Sequence, residues 1–368
     1  MELRRTPLHQ THAAAGARLV PFSGWEMPLQ YTSIKEEQLA VRRTAGVFDV
    51  SHMGRYEVAG AGAERSLQRL LTNDVASLPL GHAVYSLLCR EDGGIVDDVI
   101  AYKRRQDLFS VVVNAGNREK DWRWMESHLD AGCKLRDRSE ELALLAFQGP
   151  RAAELLATLP LTELPHFGFA EDVEVLGVSC ALVARTGYTG EDGFELMVPA
   201  DSAAELWQRL LAADPGVRPC GLGARDVCRL EAGLRLYGND MDDSVNPYEA
   251  GLGWTVKLDK DDFIGRAALA DIKAAGPQRT TVGVRGQGRA IPRHGSPVRS
   301  GTAEIGEVTS GTWSFLLEQG IGMARVAAGS VQAGDVVELE LRGQAAAADV
   351  VKLPFYRAPA RDAVQSTS

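Results

Sequence analysis

The chain lacks the features that most quickly identify a function, and each absence removes a class. Its five cysteines, Cys89, Cys133, Cys180, Cys220 and Cys228, are odd in number and far apart. None form CxxC or stand with histidine at zinc-ligand spacing, so buried free thiols in a reducing compartment are expected rather than a metal site. The opening MELRRTPLHQ has no apolar core of a signal peptide, and no run approaches the length of a membrane-spanning helix. Basic residues come only in short groups, Arg4-Arg5, Arg42-Arg43 and Lys103-Arg104-Arg105, against a net charge of -9 and a pI of about 5.4. A nucleic-acid binder needs a clustered basic surface, so neither nucleic acid nor membrane is an expected partner. The location expected is cytoplasmic. GxGxxG and GxxxxGK[ST] are absent, GLGARD at 221–226 being neither, so no flavin, nicotinamide or P-loop site is expected. GxSxG is absent too, and the seven histidines are dispersed, which disfavours a hydrolase triad.

What is present is enough chain, 368 residues and 45% hydrophobic, for two or three domains. TSIKEEQLAVRRTAG at 32–46 reads as a helix, with Ser33 and Glu36 as a capping box and Gly46 as its C-terminal cap. Strand patterns follow at 47–50 and 54–58, and an amphipathic helix at 62–71. A hairpin is expected over 84–90 and 95–102 around Asp92-Gly93, then a buried strand at 108–116. Asn117 is placed to cap the next helix. LALLAFQGPRAAELLATL at 142–159 reads as strand, turn and helix, with Pro150 in the first turn. A hairpin over 173–187, a strand at 194–198 and helices at 202–213 and 224–234 complete an α+β body. The composition changes at 273–280, and short strands with Gly and Pro turns then predict a small all-β domain.

Four segments carry chemistry. GGIVDDVI at 93–100 sets Asp97 and Asp98 inside a strand pattern. Adjacent strand residues face opposite ways, so one carboxylate must point inward. RTGYTGEDGFEL at 185–196 repeats glycine at 187, 190 and 193, with Tyr188, Glu191, Asp192 and Glu195 between. A turn-rich surface loop explains the glycines and acids, and places Glu191 at the surface. It does not explain Tyr188 or the strand that follows directly. A heterocycle pocket does, since a carboxylate accepts two hydrogen bonds from an amino-pyrimidine edge. ARDVCRLE at 224–231 puts Arg225 and Arg229 one turn apart. Arg229 reads as a salt-bridged helix residue, and Arg225 as one able to meet an anion near the helix N-terminus. WEMPLQY at 25–31 and FDVSHMGRYEV at 48–58 read mainly as core, with His52 structural.

Taken together, RTPLHQTH, FSGWEMPLQYTSIKEE, GVFDVSHMG, GGIVDDVI, AFQGP, RTGYTGEDGFEL, GLGARDVCRLEAGLRLYGND, NPYEAGLGWTVK and IGEVTSGTWS are similar to the aminomethyltransferase, or T-protein, family of the glycine cleavage system. The match runs from residue 5 to about 315, with a weaker echo in KLPFYR.

The resemblance implies a three-domain α+β cloverleaf with tetrahydrofolate, as co-substrate, in a central channel. An α+β domain would span 1–140, a ferredoxin-like α+β domain 141–275 and a β barrel 276–368. It implies transfer of a methylene group from the aminomethyl-lipoyl arm of H-protein to tetrahydrofolate, with release of ammonia. The other partners implied are glycine decarboxylase and dihydrolipoyl dehydrogenase. By motif, Asp98 faces the folate as the catalytic group, and Asp97 is its outward or structural neighbour. Glu195 holds the pterin amino edge, Tyr188 lines the pocket and Arg225 orients the folate or braces Glu195. Met53 and Tyr85 pack on the ring system, and Arg361, or its rival Arg357, makes the C-terminal contact. Relatives leave two alternatives: a folate-dependent demethylase of a small substrate, or a non-enzymatic folate-binding assembly factor. The flavin domain of the dehydrogenase relatives and the KGC-type motif of the assembly factors are both missing.

Overall fold

The structure, a computed structural model, describes residues 2–156 and 161–359. It is built from a five-stranded sheet, a six-stranded sheet, a small hairpin and a closed barrel, with helices packed around the sheets. The five-stranded sheet runs in the order His82–Cys89, Ile95–Arg105, Leu108–Val113, Gly54–Ala59, Lys134–Asp137. The six-stranded sheet runs Phe169–Val175, Val178–Ala184, Gly193–Pro199, Leu142–Gln148, Gly46–Asp49, Arg218–Pro219. Gly46–Asp49 comes from the first fifty residues, so this sheet draws on both sides of the expected division at residue 140. Arg18–Phe22 and Trp25–Gln30 form the separate hairpin, which the sequence pattern does not reveal.

The expected β tail is a closed six-stranded barrel starting at Arg279, and it includes a short strand, Pro297–Ser300, that the pattern misses. Closure removes the free edges that short strands would otherwise expose. Its interior is filled by Val284, Val298, Val308, Ala324, Val326, Val337, Leu339, Ala348 and Val350.

Leu142–Gln148 shows why a strand in this body reads as an unbroken apolar run. Ala143, Leu145 and Phe147 lie beside Val198, Leu196 and Phe194 of the paired strand, on the sheet face covered by the helix Ala203–Ala212. Leu144 and Ala146 face the other way, toward Tyr102 and Val112 of the five-stranded sheet. Both faces are buried, so the polar half of the usual alternation disappears.

The helix Ile34–Arg43 starts as expected, with Ser33 Oγ accepting from Glu36 N at 3.1 Å. The reciprocal half of the box is replaced. Glu37, fully buried, accepts from the backbone N–H groups of Tyr31, Thr32 and Gly221 at 2.6, 3.0 and 2.9 Å. Gly46 is not a helix cap. It opens a strand, where an added Cβ would sit 2.6 Å from both Cys220 Sγ and a Val41 methyl. Asn117 caps nothing with its side chain. Glu191, expected at the surface, is only 2% exposed.

Glu191 is buried because it meets Arg42. The Arg42 guanidinium donates through Nη1 to Glu191 Oε1 and Thr189 O, both at 2.9 Å. Nε and Nη2 donate to Glu231 Oε2 at 2.9 and 2.6 Å, and Nη2 also reaches Cys228 O at 3.1 Å. All five N–H donors are thereby satisfied. Glu231 also accepts from Gln38 at 2.7 Å and from Ser314 Oγ of the barrel. Tyr356 lays its ring 4.4 Å from the Arg42 guanidinium carbon.

Removing one member of such a buried cluster strands the others. Arg42→Ala is expected to cost about 3–5 kcal/mol, because two buried carboxylates lose their cation. Arg42→Lys should recover only part of this, since an ammonium cannot reproduce the planar fork. Urea unfolding midpoints of the two variants check the order.

Candidate active site

A cavity of about 1250 Å³ lies where the two sheets, the helix Leu222–Glu231 and the barrel meet. Its wall includes Asp98, Met53, Tyr85, Tyr188, Glu195 and Arg225, so six residues from five segments of the sequence converge on one space. Arg361 lies outside the described residues. Its rival Arg357 is exposed, and the C-terminal segment reaches the cavity through Leu353 and Pro354 instead.

The two aspartates separate as strand geometry requires, but not as the outward reading of Asp97 would have it. Register shifts by one where Ile95 pairs with Cys89 and Asp97 with Leu88, leaving Val96 as a bulge. Beyond it Asp98, Ile100 and Tyr102 turn to one side. Ile100 and Tyr102 belong to the core between the sheets, while Val99 and Ala101 pack with the core that contains Met125 of the helix Arg118–His128. Asp98 is half-buried in the cavity wall, and Asp97 is 0% exposed. Solvent is therefore not what Asp97 meets. It accepts from Asn114 N at 3.0 Å, Asn114 Nδ2 at 2.9 Å and Asn117 Nδ2 at 2.6 Å.

Asn114 joins the pair, its Nδ2 also donating to Asp98 Oδ1 at 2.7 Å. Tyr85 O–H donates to Asp98 Oδ2 at 3.1 Å. Burial, and next the Asp97 charge, push the Asp98 carboxyl up to about 7, although the Tyr85 and Asn114 bonds act the other way. A carboxyl poised near neutrality can hold, release or accept a proton in the working range.

Glu195 lies on the strand Gly193–Pro199, on the same face as Met197, and is 7% exposed. Its Oε2 accepts from Thr186 Oγ1 at 2.6 Å, and Oε1 has no hydrogen-bond donor among the described residues. Burial raises its carboxyl above the usual range. Arg225 forms no ion pair among the described residues. Its guanidinium carbon lies 4.6 Å from the Tyr188 ring centroid, and Nη2 is 4.0 Å from Met53 Sδ. Tyr188 is fixed in turn by donating its O–H to Arg235 O. Arg229 is fully engaged elsewhere, with Asp226 at 2.8 Å, Asp240 at 2.7 Å and Ser310 at 2.8 Å, as its salt-bridged reading expects.

The glycines of the 185–193 loop serve packing. A Cβ at Gly187 would fall 1.8 Å from Gln148 Oε1, and one at Gly193 would fall 2.4 Å from Phe147 O. Gln148, fully buried, donates to Thr186 O and accepts from Thr189 Oγ1, both at 3.0 Å. Arg185 closes the loop with two bonds to Asp192, at 2.9 and 2.7 Å. Gly190 alone needs the left-handed backbone, at φ +81°.

His52 also lines the cavity, with the edge of Phe22 packed against its ring. Burial pushes its imidazole down to about 3, so it is neutral. Sequence reasoning missed Asn114, Asn117 and Trp254. Trp254 lines the cavity while 59% exposed, stacked on Tyr85 at 5.8 Å and 23°. Asn114 gave one signal, a polar residue directly after the apolar VVV of the strand, and Asn117 was assigned to helix capping. A titration of the Asp98 carboxyl followed by NMR is expected to show a midpoint near 7. Asp97→Asn should move it downward by removing the neighbouring negative charge. An unmoved midpoint would assign the shift to burial alone.

The chain is similar to known proteins over nearly its whole length. The GCVT N-terminal domain model matches residues 8–260, and the glycine cleavage T-protein C-terminal barrel domain matches residues 279–357. The chain is 50% identical over 370 residues to an aminomethyltransferase of Symbiobacterium thermophilum, covering 98% of this chain and 99% of that one. It is 50% identical over 361 residues to an aminomethyltransferase of Geobacillus kaustophilus, covering 96% and 99%. The crystal structure of glycine cleavage system aminomethyltransferase T from Bartonella henselae superposes with a TM-score of 0.91 at 37% identity, over 97% of this chain and 99% of that one. The chain therefore belongs to the aminomethyltransferase, or T-protein, family of the glycine cleavage system.

Proposed function

We propose that the cavity binds tetrahydrofolate beside an aminomethyl-lipoyl arm and transfers the methylene group between them. The observation that carries the reading is one cavity that presents a near-neutral carboxyl, a second buried carboxylate and an arginine without an ion pair among the described residues, from separate strands and a helix. The volume, about 1250 Å³, exceeds the ~300–1,000 Å³ of an ordinary small-molecule site. Two reactants that must meet need that room.

The reaction joins one folate nitrogen to the carbon between sulfur and nitrogen as ammonia leaves. A second folate nitrogen then displaces the sulfur as a thiol. The protons on the two folate nitrogens end on the thiol and on ammonium, so none need come from water. Positive charge develops on the attacking nitrogen and on the departing amine. Ionised Asp98 offsets it, and a carboxyl near 7 can pass each proton on. Tyr85 and Asn114 hold both Asp98 oxygens in place. Glu195 Oε1 is available to the pterin amino edge, with Thr186 holding the other oxygen. Met53 and Tyr188 supply apolar and aromatic surface, and Arg225, held over Tyr188, supplies a charge for the folate or for Glu195. The partners proposed are lipoylated H-protein, glycine decarboxylase and dihydrolipoyl dehydrogenase. Cytoplasmic work suits five cysteines that are all free thiols.

Asp98→Asn is nearly isosteric and is expected to lose roughly 100-fold or more in transfer rate. In the parent protein the rate should rise with pH through about 7, as Asp98 ionises, and level off. The variant should lack that limb. Ammonia release measured with and without the lipoylated carrier separates this reading from a demethylase or a binding protein, neither of which needs the carrier.

Glu195→Ala should weaken tetrahydrofolate binding about ten-fold or more, since charge-assisted hydrogen bonds contribute roughly 1.5–3 kcal/mol each. Glu195→Gln should be at least as harmful, because it faces a donor with donors. Calorimetric titration decides this, and unchanged affinity in both variants would remove Glu195 from the site.

A further inference from the structure

Behind the cavity wall sits a carboxyl that the reaction scheme leaves unused. Asp121 lies in the first turn of the helix Arg118–His128, 0% exposed, on the side of the strand to which Asp97 turns. Among the described residues, neither of its oxygens receives a hydrogen bond from any N–H or O–H and no cation pairs with it. Its neighbour on the same helix, Lys120, spends its ammonium on Tyr237 O–H at 2.7 Å and Asp243 at 3.2 Å. A buried carboxylate without a donor is costly enough that it takes up a proton. The side-chain contact of Asp121 is with Asp97, whose oxygens already accept three N–H bonds. Two carboxyl groups in contact need a shared proton, and the member without other donors is the one to carry it.

We infer that Asp121 is built into the fold as the neutral acid and donates its proton to Asp97, fixing Asp97 as the buried anion that aligns Asn114 against Asp98. Asp97 then receives three N–H bonds and one O–H bond, a set that holds one negative charge without a cation. Asn114 is clamped between Asp97 Oδ1 and Asp98 Oδ1, at 2.9 and 2.7 Å. The groups facing Asp121 agree with this assignment. Burial, then Asp97, push its carboxyl up to about 11, with Asp98 adding to the shift and Lys120 opposing it. Asp121 touches no substrate in this arrangement. It is a positioning residue, acting through Asp97 and Asn114.

The test has one arm that does not depend on the transfer reaction. The infrared difference spectrum between the parent protein and Asp121→Asn, at pH 7.5 or about one unit to either side, is expected to show loss of one protonated-carboxyl band. Stability supplies the second readout. An acid whose folded pKa is raised binds its proton more tightly folded than unfolded, so the parent loses stability relative to Asp121→Asn as pH rises above the unfolded carboxyl range. The melting-temperature difference in favour of the variant should grow from pH 5 to pH 8, roughly the span between an ordinary carboxyl and the raised one. An ionised, stabilising Asp121 would give the opposite trend.

The activity arm rests on the reading of Asp98. Asp121→Asn keeps a donor toward Asp97, and should stay within about threefold of the parent rate with its pH midpoint unmoved. Asp121→Ala removes the donor, and should fall about tenfold or more with a displaced midpoint. If the alanine variant does not fold, the asparagine variant and the infrared band still decide. No lost band, or a stability difference that shrinks with pH, overturns the inference. Those readouts succeeding while both variants keep parent activity would limit Asp121 to holding the fold, and would overturn its positioning role.

Discussion

The constraint on which the rest of the structure depends is the buried contact of Arg42 with Glu231 and Glu191. One guanidinium has all its donors used within an apolar interior. Its partners come from the helix Leu222–Glu231 and the loop at 185–193, and through Glu231 from Gln38 and Ser314 of the barrel. A charge this deep tolerates few arrangements, because any partner that drifts away leaves an unpaired ion behind. The contact therefore fixes how the N-terminal helix, the site helix, the glycine loop and the barrel sit together. Arg225 is six residues before Glu231 on that helix, and Tyr188 is one residue before Thr189, whose carbonyl Arg42 holds. The geometry of the cavity follows from this distant ion cluster. A second buried cation, Arg229, repeats the device toward Asp240 and Ser310.

On the opposite wall the same logic runs through hydrogen bonds. Asp98 is held by Tyr85 from the neighbouring strand and by Asn114 from the end of the next one. The bulge at Val96 matters because it sets which aspartate faces which side. Without it the strand would turn Asp97 and Asp98 differently for the same pairing of the residues before them. The proposed catalytic carboxyl thus owes its direction to backbone register, and its pKa to a hydrophobic surround with a second charge behind it. Glu195 reaches the cavity by simple alternation on a regular strand. The two carboxyls arrive by different routes at one space.

Much of this was legible in the sequence, and the reasons can be named. The aspartate pair was conspicuous because carboxylates are poor strand residues placed in an apolar run. The glycine loop stood out by its spacing, although Gly187 and Gly193 make room for Gln148 and Gly190 for Ala232. The closed barrel followed from short strands and frequent turns. Glu191 was misread because local pattern registers a charged residue among glycines as loop surface, whereas its partner, Arg42, lies 149 residues away in the chain. Asn117 was misread for a related reason. Its position before a helix matches a cap, but its amide is taken by Asp97, 20 residues earlier.

The sequence by itself determined most of the local elements, the family and the residue types that carry chemistry, because each of these depends on neighbours a few positions away or on motifs kept contiguous. It determined that one of Asp97 and Asp98 must point inward, since strand alternation allows nothing else. Only the tertiary structure decided that Asp98 stands half-buried in the cavity wall and Asp97 fully buried against Asp121. It alone decided that Arg42 is the hub of the interior and that Trp254 stands half in the cavity and half in water. The physical reason is the same throughout. Burial, desolvation and the pairing of charges depend on which distant segments share a space, and no local window of residues contains that information.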